Sequence, residues 1–161
     1  LVRPDIASLR ARAEDALARA KRAVGDTPIT IDYTVAPRPF GLARLLAEHG
    51  FRVTTLYADT IAPEDTDACS WLRENVPDML LYPTTHASMR VESRACSGQT
   101  LAIGQKAAYF SGTSNFVNIV EGGGLHGFDG IVRMAEMIED ALMTEKDTRE
   151  IIQIKGWGCC G

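Results

Sequence analysis

Ile29-Thr30-Ile31-Asp32-Tyr33-Thr34-Val35, Phe51-Arg52-Val53-Thr54-Thr55-Leu56-Tyr57 and Met79-Leu80-Leu81-Tyr82 are three runs rich in β-branched, aliphatic and aromatic residues. Such runs read as strands. The first is broken by Ala36-Pro37-Arg38-Pro39, and a helix is predicted over residues 40–49, stopped by Gly50. The second strand restarts at once. Pro63-Glu64-Asp65 opens another helix, through Trp71 to Asn75, and its acidic residues suit a positive helix end. Pro77 then precedes the third strand. Strand, helix, strand, helix, strand at this spacing predicts a parallel sheet with crossover helices. The unbroken apolar run 79–82 predicts a sheet covered on both faces.

Outward from this unit, Ile6, Leu9, Ala13, Leu17, Ala20 and Val24 repeat every three to four residues, predicting an amphipathic helix over 5–24. Asp5 is its expected cap and Gly25 its expected stop. Residues 86–97 read as a polar helix or loop. The runs 101–103 and 107–110 read as edge strands, or as one strand broken at Gly104. Residues 111–127 read as a loop, and Ile131, Met134, Ala135, Ile138, Ala141 and Leu142 mark a late helix. Residues 151–154 are a candidate strand before a flexible tail at 156–161. The fold expected is α/β: one Rossmann-like three-layer domain over 1–161, with a mainly parallel sheet and helices on both faces.

Composition excludes several classes. The 161 residues carry 17 Lys and Arg against 21 Asp and Glu, a net charge of −4, which gives no electrostatic case for nucleic acid or an anionic membrane. No apolar run approaches the roughly 20 residues that span a bilayer. A mean hydropathy of −0.07 fits an ordinary globular protein, and four dispersed cysteines suggest a reducing, cytoplasmic setting. The first residue is Leu1, so the chain reads as processed or as a piece of something longer.

Parallel sheets bind ligands beyond the carboxyl ends of their strands. The turn after the first strand lacks the Gly-x-Gly-x-x-Gly that lets backbone approach a pyrophosphate, and two prolines remove two amide donors. Dinucleotide binding in that mode is disfavoured. Arg38 meets either solvent or an anion. Pro83-Thr84-Thr85-His86 sets two hydroxyls and an imidazole after the third strand, where the hydroxyls either cap a helix or meet a ligand. Gly122-Gly123-Gly124-Leu125-His126-Gly127-Phe128-Asp129-Gly130 is the most distinctive segment, since glycines there permit positive φ and close approach. Asp129 reads foremost as a helix cap. The candidates are therefore His126 and His86 as proton donors, with Thr85, Asn118, Gly123, Gly124 and Gly127 as ligand contacts. No metal site is expected, Cys159 and Cys160 being the residual candidates.

The order of segments resembles the C-terminal domain of the nitrogenase component 1-type oxidoreductases. That family includes molybdenum-iron protein subunits, cofactor scaffold proteins and dark-operative protochlorophyllide and chlorophyllide reductases. The stretch from Leu9 to Ala16 resembles the family's Arg-x-Arg-x-x-Asp-Ala helix. Residues 40–51, Phe-Gly-Leu-Ala-Arg-Leu-Leu-Ala-Glu-His-Gly-Phe, resemble the helix and turn before its second strand. Val76-Pro77-Asp78-Met79-Leu80 resembles its Pro-Asp-Leu strand start, and His126-Gly127-Phe128-Asp129-Gly130 is similar to the His-Gly-Tyr-Asp-Gly opening its late helix.

The resemblance implies a cofactor- or substrate-cradling domain in a longer chain. Its partners would be N-terminal domains of the same chain, further subunits in a homo- or hetero-oligomer, and an ATP-dependent iron-protein reductase. An iron-sulfur cluster would sit in the parent protein and none in this domain. The molybdenum-iron α-subunit has a histidine ligand nine positions before its His-Gly-Tyr-Asp-Gly histidine, and that position here is Val117. The resemblance therefore does not extend to dinitrogen reduction. The alternative is a free-standing Rossmann-like domain that binds a small molecule or serves assembly without catalysis.

Overall fold

The computed structural model describes residues 5–86, 89 and 98–148. Helix α1 (Ile6–Val24) starts where Asp5 accepts a hydrogen bond from the Ser8 amide at 3.2 Å, and ends at Gly25, with φ +59°. Lys21 and Arg22 in its last turn complement the negative helix end. Strand β1 (Ile29–Asp32) leads through residues 33–38 to α2 (Pro39–Glu48), whose buried Phe40, Ala43 and Leu46 follow helical spacing. Strand β2 (Val53–Tyr57) is followed by a 3-10 turn at Pro63–Asp65 and by α3 (Thr66–Asn75). Then come β3 (Leu80–Tyr82), β4 (Leu101–Ile103), α4 (Gln105–Ser111), β5 (Phe116–Val117), a 3-10 turn at Glu121–Gly124 and α5 (Gly127–Met143).

The five strands form one parallel sheet in the order β3-β2-β1-β4-β5. Ile31 stands beside Leu56 on one side and Ile103 on the other, with a register shift between Ile29 and Thr30. The chain steps one way from β1 to β3 and the other way from β4 to β5. Right-handed crossovers then require α2 and α3 on one face and α4 on the other. The core agrees. Ile29, Ile31, Leu56, Leu101, Ile103 and Val117 pack with α1, α2, α3 and α5, whereas Ala102, Tyr57 and Phe116 pack with Ala107 and Ala108 of α4. The expected Rossmann-like architecture is the one observed.

Three expectations need correction. Residues 107–110 belong to helix α4 and not to a strand, because a short apolar run carries no period that separates the two. Gly104, at φ +103°, ends β4, and the Asp32 carboxylate takes the Ala107 amide and starts the helix. Residues 111–127 are not all loop, since β5 lies within them. The run 79–82 is also not covered on both faces: Leu80 and Leu81 are 51% and 44% exposed, because β3 is an edge strand. The other edge is guarded. Asn115 bridges Glu145 in antiparallel fashion, and the Lys146 amide donates to Ser114 at 2.8 Å. The candidate strand 151–154, the tail 156–161, most of 86–97, and Cys96, Cys159 and Cys160 lie outside the described residues. No described helix is long and apolar enough to cross a membrane.

Candidate functional site

Strand order reverses between β1 and β4, and the connections diverge there, opening a crevice at the carboxyl ends. Its floor is Asp32, fully buried at the last position of β1. One carboxylate oxygen accepts from the Thr34 amide at 2.8 Å and the Thr34 hydroxyl at 2.5 Å; the other accepts from the Ala107 amide at 2.9 Å. Asp32 thus fastens the β1 loop to the start of α4. Gly104 leaves the room for it, since a Cβ there would lie 2.2 Å from Asp32 Oδ2.

Two side-chain bridges cross above this floor. Lys106 donates to the Tyr33 hydroxyl at 2.6 Å, its ammonium standing 4.3 Å from the Tyr33 ring centre. Gln105 donates to the Asn118 side-chain oxygen at 2.6 Å. Both donors come from the first turn of α4, so the loops after β1 and β5 are tied to one place.

The glycine segment closes the third side. Gly122, Gly123, Gly124 and Gly127 all have positive φ, from +50° to +76°. A Cβ at Gly122 would lie 3.7 Å from Pro37, so the β5 loop folds back onto the β1 loop. An apolar groove of about 760 Å³ continues from here between α2 and α5, lined by Pro37, Leu42, Leu45, Gly122, Leu125, Gly127, Phe128 and Ile131. Exposed His126 sits at the cap position of α5, with no side-chain bond to the helix. Asp129 does not cap the helix; it pairs with Arg12 at 3.5 Å. Among the described residues a Cβ at Gly124 or Gly127 meets nothing within 4 Å, whereas one at Gly130 would lie 2.7 Å from the Leu125 carbonyl carbon. Alanine at Gly124 or Gly127 will therefore cost about 1–2 kcal/mol of backbone strain, and Gly130→Ala more. Thermal melts of the three variants check the order.

The structure separates the other candidates from this cluster. His86 and Thr85 follow β3, and three strands stand between β3 and β5. Thr85 donates through its amide and its hydroxyl to Asp59, at 3.0 and 3.3 Å, and Thr84 donates to the second oxygen at 2.7 Å. These hydroxyls order a carboxylate and do not cap a helix. A small cavity of about 140 Å³ lined by Tyr33, Pro37, Asp59, Thr60 and Asp65 lies between the two clusters. Arg38, exposed, is held by Asp65 at 3.5 Å and by the Glu64 carbonyl, so it fixes the turn before α3.

Burial pushes the Asp59 carboxyl up, but the hydrogen bonds from Thr84 and Thr85 outweigh it and hold the group below its ordinary 3.8. A lowered folded value stabilises the protein above the unfolded value, and that stability is lost as pH falls through the folded one. Asp59→Asn will therefore melt lower than the parent at neutral pH, and the gap will close below about pH 4. Melts from about pH 2 to about pH 7 check the sign.

Sequence reading missed Asp32, Tyr33, Gln105, Lys106 and Asp59. The available signals were an acid ending an apolar strand and polar residues after Gly104, both too common to be specific.

No protein-family model matches the sequence, and no curated protein matches it. The structure does match a solved one, nitrogenase Cp1 at pH 6.5, with a TM-score of 0.62 at 14% identity. The match covers 96% of this chain. This is a nitrogenase component 1-like fold. The chain spans 35% of that nitrogenase chain, about a third of its length. Val117, on β5, is buried in the core.

Proposed function

We propose that this chain is the ligand-cradling domain of a component 1-like oxidoreductase, with its cofactor or substrate at the β1–β4 crevice. The observation that carries this reading is the convergence of the loops after β1, β4 and β5 at the strand-order reversal. In a parallel sheet that is where a ligand finds side chains from several elements at once.

An iron-sulfur cluster needs convergent thiolates. The described residues do not offer them. Cys69 is half-buried on α3 against the core, and no group of three or more His, Cys, Asp or Glu among the described residues could hold a metal. As the family resemblance implies, clusters would belong to other domains of a parent chain, and this domain would supply orientation and proton donors. His126 heads α5 beside the glycine segment and is the donor nearest it in sequence; His86 and Thr85 lie on the β3 side, away from this crevice. Gly123, Gly124, Gly127 and Asn118 form the rim. The full-length protein would take electrons from an ATP-dependent iron-protein reductase. The test is ATP-dependent electron uptake by the full-length gene product, isolated anaerobically with its subunits. Reduction that requires both ATP and the iron protein supports the reading. Equal reduction without either contradicts it.

A further inference from the structure

Lys106 is a half-buried cation that forms no ion pair among the described residues. A lysine ammonium carries three donors, and one of them goes to the Tyr33 hydroxyl. The hydrogen bonds of Asp32, at the crevice floor, go to Thr34 and the Ala107 amide and not to Lys106. The hydrogen-bond partner of Lys106 is the Tyr33 hydroxyl, which accepts from the ammonium and keeps its own proton for another acceptor. A cation and a phenolic donor are thereby held side by side by a rigid anchor at the mouth of the crevice.

The geometry points to a carboxylate-binding subsite, in which one ligand carboxylate accepts hydrogen bonds from Lys106 Nζ and Tyr33 OH. The donor set suits a carboxylate: one charged and one neutral donor match its two oxygens, whereas a phosphate dianion calls for more cations or a fan of backbone amides. The β1 loop, with Pro37 and Pro39, lacks that fan. The subsite rests on the proposed function and deepens it by giving the crevice ligand an acidic group. Its test reads binding by this chain alone, whereas electron uptake by the full-length protein tests the function, so either can fail without the other.

The experiment is a titration of the 161-residue chain with sodium acetate, followed by backbone amide NMR at a constant ionic strength of about 0.15 M. Signals of Tyr33, Thr34, Lys106 and Ala107 will shift saturably, with a Kd on the order of millimolar. Chloride will not reproduce the shift. Lys106→Met will weaken binding at least about tenfold, and Tyr33→Phe, which keeps the ring, about threefold. Melts of both variants establish that they fold, and Tyr33→Phe decides alone if Lys106→Met does not. Absence of saturation, an unchanged response in the folded variants, or tighter binding of inorganic phosphate than of acetate would overturn the proposal.

Discussion

Alanine at Gly104 will destabilise the fold by about 4 kcal/mol, lowering the melting temperature by about 8–16 °C for a chain of this size. Two costs combine. Gly104 holds φ at +103°, where an L-residue is strained by about 1–3 kcal/mol. The added Cβ would also fall 2.2 Å from Asp32 Oδ2 and 2.5 Å from Val35 Cγ1. Neither neighbour can retreat, since Val35 is buried in the core and Asp32 is pinned by Thr34 and the Ala107 amide. A melt within a few degrees of the parent would show that the crevice floor yields.

Asp32→Ala is the second large effect, about 3 kcal/mol. The carboxylate is the acceptor for a buried amide at the start of α4 and for two donors of Thr34, and leaving buried donors unpaired costs about 1–3 kcal/mol for each group. Asp32→Asn retains one acceptor oxygen and will cost less. The two sites are coupled: removing the carboxylate clears the 2.2 Å and 2.6 Å overlaps that a residue-104 Cβ would meet. The double variant Asp32→Ala with Gly104→Ala will therefore be more stable than the sum of the single losses implies. Strict additivity in denaturant melts would contradict this coupling at the crevice floor.

The strands and helices of the first half were legible because each buries a patterned run. Ile29, Ile31 and Leu56 announce strands, and Phe40, Ala43 and Leu46 announce a helix face. Strand order was not legible, and it decided which candidates could act together. His86 and His126 both follow strands, but the order β3-β2-β1-β4-β5 puts their strands at opposite edges. Helix α4 was misread because Ala107 and Ala108 suit a strand or a helix equally, and the group that starts the helix is Asp32, far upstream. Lys106 and Tyr33 stand 73 positions apart in the sequence and meet only after the sheet has formed. No local pattern could have paired them. The glycine segment was legible because Gly123, Gly124 and Gly127 all take the positive φ that their residue type permits.

The central claim is that the crevice between β1 and β4 holds the ligand. The most direct test is a structure of the full-length protein isolated with its native ligand. The expected result is ligand density touching the loops after β1, β4 and β5, with Tyr33, Lys106 or Asn118 within hydrogen-bond distance. Ligand density elsewhere, with these loops sealed against another domain, would contradict it.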